Sequence, residues 1–220
     1  MISHVVERYK DFRDFKTKTQ AGRFTTYDLE YDSATSGLRG FELFGEGTYF
    51  IGPIKVTRKY VEIDCFHSDT KKGYGDKYTF YTRVENTETQ PICQVGMVHG
   101  FCESSDSFLE QMYQYALNGM LVHAVDLESH GFSAGLRISG IKIDQYHFSV
   151  TAMLRQFQEG LPTFLFGNSM GCMVLNTFLL KNPEVALQGV VFQVPFFGFS
   201  ETLNLSYWRV GLIRAVSPLF

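Results

Sequence analysis

Apolar and polar positions alternate along residues 55–66, with Val61, Ile63 and Cys65 on one side. They alternate again along 77–84, where Tyr78, Phe80 and Thr82 share a side. A period of two is what a half-buried strand shows. Residues 69–76 between these runs hold Gly73 and Gly75, so the pair predicts an antiparallel hairpin. The pattern then changes. Residues 92–99 form a short, nearly continuous apolar run, as a strand buried on both faces does. Ser104 to Asp106 offer helix caps, and Phe108, Leu109, Met112, Tyr113, Ala116 and Leu117 follow at helical spacing as far as Gly119. A strand is expected over 120–125. A helix follows over 144–158, with Tyr146, Val150, Met153, Leu154 and Phe157 on one face. Then come a strand over 161–166, a helix over 170–181 and a strand over 189–194. Strands alternating with helices predict an α/β fold, a mostly parallel sheet with helices on both faces. The early hairpin gives that sheet an antiparallel edge. Residues 1–54 are harder to read: 5–18 suits a charged helix, and 22–47 is punctuated by glycine with little period.

Composition adds bounds rather than detail. The chain has 220 residues, 45% hydrophobic and 20% charged, which suits one globular domain with a sizeable core. Net charge is −3 with no long run of either sign, so no nucleic-acid surface is expected. The 21 Phe and 12 Tyr read first as core packing; a lipid-facing pocket is not separable from that by composition. Four cysteines, Cys65, Cys93, Cys102 and Cys172, fit neither a zinc site nor a small disulfide scaffold. No cofactor or metal is implied, and no protein partner is named. The N-terminal ten residues lack a secretory pattern, and no stretch reaches the roughly 18 apolar residues of a membrane span. A reduced, cytoplasmic setting is the default expectation, with membrane association left open.

The chemistry concentrates in Gly167-Asn168-Ser169-Met170-Gly171, between an expected strand and an expected helix. A Gly-x-Ser-x-Gly turn in that context is a nucleophile elbow: the strained serine stands clear of the sheet at a helix N-terminus. The N–H of Met170 is then one donor to a developing oxyanion. A second donor is the N–H of Phe101, in His99-Gly100-Phe101-Cys102-Glu103-Ser104 after the strand at 92–99. The bland alternative for that segment is an ordinary strand-to-helix loop. Asp126-Leu127-Glu128-Ser129-His130-Gly131 follows the next strand. Asp126 and His130 invite a triad reading, but a hydrogen-bonded loop brace is the commoner arrangement, and the chain order is wrong for this elbow. No histidine or aspartate follows Met170, so the catalytic base and acid are not assigned.

These three motifs, with the strand ending Gln193-Val194-Pro195, occur in one order over about residues 55–200. Together they resemble the α/β-hydrolase family, in its serine aminopeptidase and monoacylglycerol lipase branch. The resemblance implies an eight-stranded sheet, Ser169 as nucleophile, and Phe101 and Met170 as backbone oxyanion donors. His99, Gly100, Gly167, Gly171, Asp126 and His130 fill the supporting positions. It implies hydrolysis of lipid-like carboxylic esters through an acyl-enzyme, the partner being a small-molecule ester or lipid. It also implies a lid beginning near Phe197, through which peripheral membrane contact is expected. The division expected is a 1–54 extension, a 55–200 core and a 201–220 lid start, with the C-terminal strands that carry acid and base missing. A non-catalytic hydrolase-like protein that binds a ligand is the alternative. Asn168 stands where the branch usually has histidine, Cys172 where it has glycine, and Ser129 replaces the glycine before His130.

Overall fold

A computed structural model describes residues 26–29, 45–63, 78–134 and 142–197. The helix expected at 5–18, the lid start at 201–220, and His4, Cys65 and His67 lie outside these residues. The strands are β1 (Thr26–Leu29), β2 (Gly47–Ile51), β3 (Ile54–Glu62), β4 (Tyr78–Asn86), β5 (Cys93–Val98), β6 (Met120–Asp126), β7 (Thr163–Asn168) and β8 (Gly189–Gln193). The helices are α1 (Leu109–Leu117), entered through a 3-10 turn at Ser105–Phe108, α2 (Ile143–Leu154) and α3 (Met170–Lys181).

The strands form one sheet in the order β1-β2-β3-β4-β6-β5-β7-β8. The expected hairpin is present: β3 and β4 pair antiparallel from Ile54↔Asn86 to Glu62↔Tyr78. β4 meets β6 antiparallel, and from there β6, β5, β7 and β8 run parallel. Residues 1–54 supply more of the sheet than their pattern announced. β2 pairs antiparallel with β3 through Gly52-Pro53, with Ile51 opposite Ile54. Gly52 has φ +55, the backbone a two-residue hairpin turn of this hand requires at its first position.

Each face of the sheet carries its own core. Phe108, Met112, Tyr113 and Ala116 of the α1 segment cover one face, on Val95, Met97, Val122, Ala124 and Phe166. On the other, Tyr146, Val150 and Met153 of α2 and Val174, Leu175 and Phe178 of α3 pack on Val98, Val125 and Leu165. The period-two alternation along β5 to β7 therefore feeds two layers rather than one core and one wet face. Each fully buried Leu or Phe contributes about 2 kcal/mol relative to exposure. Several boundaries differ from expectation: β7 runs Thr163–Asn168 rather than 161–166, β4 continues to Asn86, and α2 ends at Leu154, not 158. Residues 155–157 continue as turns, Phe157 N–H bonding Leu154 O at 3.1 Å. Phe157 still packs inward, because Gly96 leaves space there; a Cβ on Gly96 would stand 2.7 Å from the Phe157 ring.

Candidate active site

The parallel strands all point their C-terminal ends the same way, and loops there collect the chemistry, as in open α/β sheets generally. Each loop after β5, β6, β7 and β8 contains one non-glycine residue at positive φ: Cys102 (60°), Ser129 (70°), Ser169 (49°) and Val194 (46°). Such backbones cost on the order of 1–3 kcal/mol each and persist only where surroundings enforce them. Among the described residues these four are the whole set, and all lie on one rim of the sheet.

Ser169 sits between the last residue of β7 and the first of α3, with φ 49° and ψ −113°. Its neighbours explain the two glycines. A Cβ on Gly167 would stand 2.9 Å from the backbone N of Cys172, and one on Gly171 would stand 2.7 Å from the His99 carbonyl oxygen. α3 can reach the end of β5 only because Gly171 has no side chain. Beyond the pentapeptide, Ser169 N–H donates to Gln193 O (2.9 Å), and Ser169 O accepts from Phe196 N–H (3.2 Å). Both ends of the serine's backbone are thus held by the end of β8 and the residues just after it. Met170, the first residue of α3, has no carbonyl four residues back in its own helix for its N–H.

The segment after β5 lies directly against this turn: a Cβ on Gly100 would be 3.1 Å from the Ser169 Cβ. His99 orients it. The His99 Nε2 accepts the Leu127 N–H at 2.9 Å, which leaves the proton on Nδ1, 2.7 Å from Gly100 O. That carbonyl and the Phe101 N–H belong to one trans peptide, so fixing one turns the other the opposite way. Burial pushes the His99 pKa down, keeping the ring neutral and in this tautomer. The Phe101 ring is 56% exposed and meets His130 edge-on, with centroids 5.9 Å apart.

Asp126 is fully buried at the end of β6 and already committed. Its Oδ1 accepts from Ser105 N–H (2.7 Å) and Ser105 Oγ–H (2.6 Å), and its Oδ2 from Phe132 N–H (2.7 Å). Gly131, at φ +48°, leaves room for that carboxylate. The buried His130 lies 3.0 Å through Nδ1 from Glu128 O and packs against His99 and Tyr146. Asp126 thus braces the loop after β6 through Ser105 and Phe132. The sequence pattern missed Ser105, taken with its neighbours as a cap. Ser104 at the N-cap makes no side-chain capping bond, and Ser105 serves Asp126 instead. Ser133, which closes the Asp126 motif in the sequence, donates its hydroxyl to Asp126 O at 2.5 Å.

The thiols near this turn are not activated. Burial raises the Cys172 thiol pKa; partial burial, then Glu103, raises that of Cys102. A thiol so shifted stays protonated at neutral pH. Among the described residues no His, Cys, Asp and Glu cluster is placed to hold a metal ion, and no helix is long and apolar enough to cross a membrane.

Residues 89–220, more than half of the chain, match the family described as serine aminopeptidase, S33. The chain belongs to that family. As an S33 member it has curated relatives of modest identity. An uncharacterized abhydrolase domain-containing protein of Dictyostelium discoideum is 30% identical over 107 residues, 48% of this chain and 11% of that one. Caffeoylshikimate esterase of Arabidopsis thaliana is 28% identical over 118 residues, 51% of this chain and 36% of the esterase. The S33 chain therefore spans well under half the length of both. Two solved structures share its α/β-hydrolase fold. A thermostable carboxyl esterase from Bacillus coagulans has TM-score 0.53 and 20% identity, over 72% of this chain and 50% of its own. A monoacylglycerol lipase from Paleococcus ferrophilus has TM-score 0.50 and 22% identity, over 63% and 50%.

Proposed function

We propose that this chain carries the nucleophile and oxyanion half of a serine hydrolase that cleaves carboxylic esters with lipid-like acyl groups. The observation that carries the reading is Ser169 itself: half-buried, at φ 49°, between two glycines that no side chain could replace without backbone clash. An elbow of this kind presents a hydroxyl to a bound acyl carbon. Ser169 Oγ attacks that carbon, and the carbonyl electrons move onto oxygen, held by the Phe101 and Met170 N–H groups. Collapse expels the alcohol and leaves an acyl-enzyme, which water hydrolyses. Both steps need a proton acceptor. Asp126 already accepts three hydrogen bonds from its own loops, and the base and acid are not assigned. Esters are favoured as substrates by the family together with the esterase relative. The apolar acyl group is favoured by exposed Phe101, Phe192, Val194 and Phe197 around the rim.

The test is fluorophosphonate labelling of the full-length protein, with Ser169→Ala as control. Ser169-dependent labelling is expected. Equal labelling of the alanine variant rejects the nucleophile, and no labelling of either favours a ligand-binding relative without catalysis. With no base assigned among residues 1–220, ester turnover by that polypeptide is expected near the floor of about 10³–10⁴ over water seen when a triad lacks its histidine, as in the subtilisin example. Turnover near 10 s⁻¹, roughly the enzyme median, would show that a residue such as His130 serves as base.

A further inference from the structure

Two loops that are remote in sequence must stay in register for acyl transfer at Ser169: the elbow after β7 and the segment after β5 that carries Phe101. One carboxylate spans them. Glu103 Oε2 accepts the Gly100 N–H at 2.8 Å and the Asn168 side-chain amide at 2.9 Å; Oε1 accepts the same amide at 3.2 Å. Asn168 is the residue immediately before Ser169 and the last of β7. Gly100 is immediately before Phe101. β5 and β7 are neighbours, Val98 lying opposite Gly167, so the two strand ends emerge side by side with Glu103 closing the gap. There is little slack. A Cβ on Gly100 would stand 3.0 Å from Glu103 Oε2 and 3.1 Å from Ser169 Cβ. Carboxylate, glycine backbone and nucleophile are therefore packed in contact.

We propose that Glu103 and Asn168 are a clamp that sets the Phe101 peptide against Ser169, so that both are positioning residues for the reaction. The proposal rests on the serine-hydrolase reading of this site. Both peptides flanking the Gly100 Cα are fixed, the one before by Glu103 on the Gly100 N–H and the one shared with Phe101 by His99 on the Gly100 C=O. His99 ties the segment to β6 through Leu127, and among the described residues Glu103 ties it to the elbow through Asn168. Asparagine suits that role. Its amide keeps both N–H donors at every pH, where the histidine usual at this position in the resembling branch would gain and lose a proton. The clamp so built does not titrate from the elbow side.

A swap of donor and acceptor tests this in the full-length protein. Glu103→Gln sets one amide N–H₂ against another while leaving an oxygen for Gly100; Asn168→Asp sets two carboxylates face to face. The double variant restores a donor–acceptor pair with the roles exchanged. Turnover of a short-chain p-nitrophenyl ester, fluorophosphonate labelling and thermal melting are measured on each. Expected is a kcat fall of roughly tenfold for Glu103→Gln, the scale of one charge-assisted hydrogen bond. Asn168→Asp should fall further, KM should stay within about twofold, and the double variant should recover most of the loss. Asn168→Ala, which removes the donor without adding charge, replaces Glu103→Gln if that variant does not fold. Single variants with wild-type kcat, or a double variant no better than Asn168→Asp, overturn the clamp while Ser169-dependent labelling of wild type keeps the hydrolase reading. Wild-type protein without Ser169-dependent labelling overturns both.

Discussion

Replacing Gly171 by alanine tests fold and site together. The new Cβ would stand 2.7 Å from the His99 carbonyl oxygen and 2.8 Å from the Val98 carbonyl carbon, and closer still to the Val98 oxygen. Comfortable carbon contacts are about 3.5–4.0 Å, so the start of α3 and the end of β5 must separate by roughly 1 Å. Neither partner is the movable tip of a side chain; both are backbone in ordered elements. Overpacking of this kind costs about 3 kcal/mol. Alanine in place of helical glycine returns roughly 1 kcal/mol. The net loss is about 2 kcal/mol, or a fall in Tm of about 4–8 °C for a domain of this size. The displacement also moves Ser169 relative to the Phe101 peptide, and a 1 Å misplacement can cost on the order of a hundredfold in rate. Urea unfolding, a circular-dichroism melt and labelling kinetics on Gly171→Ala measure both effects. Gly189→Ala is the control, because its Cβ would meet only the Phe164 ring at 3.4 and 3.5 Å. A Gly171→Ala protein as stable as Gly189→Ala and labelled at the wild-type rate would refute the packing argument and the elbow geometry with it.

Burial drives the His123 pKa down to about 3 beside Tyr81, whose hydroxyl lies 2.6 Å from Nδ1. The unfolded state therefore binds the proton first, and stability present above pH 6.5 falls as pH drops toward 3, by about 2 kcal/mol at pH 5; urea unfolding at pH 7 and 5 should show that slope, reduced in His123→Phe. Asp126→Ala strands three buried donors and should cost about 3 kcal/mol, while the folded fraction keeps its fluorophosphonate labelling rate; a folded variant that no longer labels would make Asp126 catalytic. The β8 edge exposes Val191 (53%), Phe192 (38%) and Val194 (76%), and among the described residues β8 pairs with β7 alone. The 1–220 polypeptide should therefore self-associate; light scattering that finds a cooperative monomer of 25.1 kDa overturns this.

What was legible in the sequence was what is local. β7, the elbow, α3 and β8 were readable because strand, turn and helix follow one another within about thirty residues, each with its own period. β2 was not, although Tyr49 and Ile51 alternate and Gly52-Pro53 is a turn signal, because five residues among glycines make a weak pattern. The end of α2 misled because Phe157 sits three residues past Leu154, as a helix would place it, yet what makes room for its ring is the missing side chain at Gly96 on β5. The site divides the same way. Ser169, Gly167 and Gly171 announce themselves. The bonds of Glu103 to Asn168 and of His99 to Leu127 depend on β5 lying between β6 and β7, an order that no stretch of sequence displays.

The elbow's backbone is completed from outside its own pentapeptide, by Gln193 O at the end of β8 and Phe196 N–H beyond it. Gly-Asn-Ser-Met-Gly is therefore not a portable cassette. Grafted onto another strand–helix junction it would relax toward an ordinary backbone, since the 1–3 kcal/mol held at the serine must be matched by contacts the graft leaves behind. The smallest transplantable unit is the four-strand parallel block with its rim loops. A designer who wants this strained serine turn elsewhere must carry β8 along.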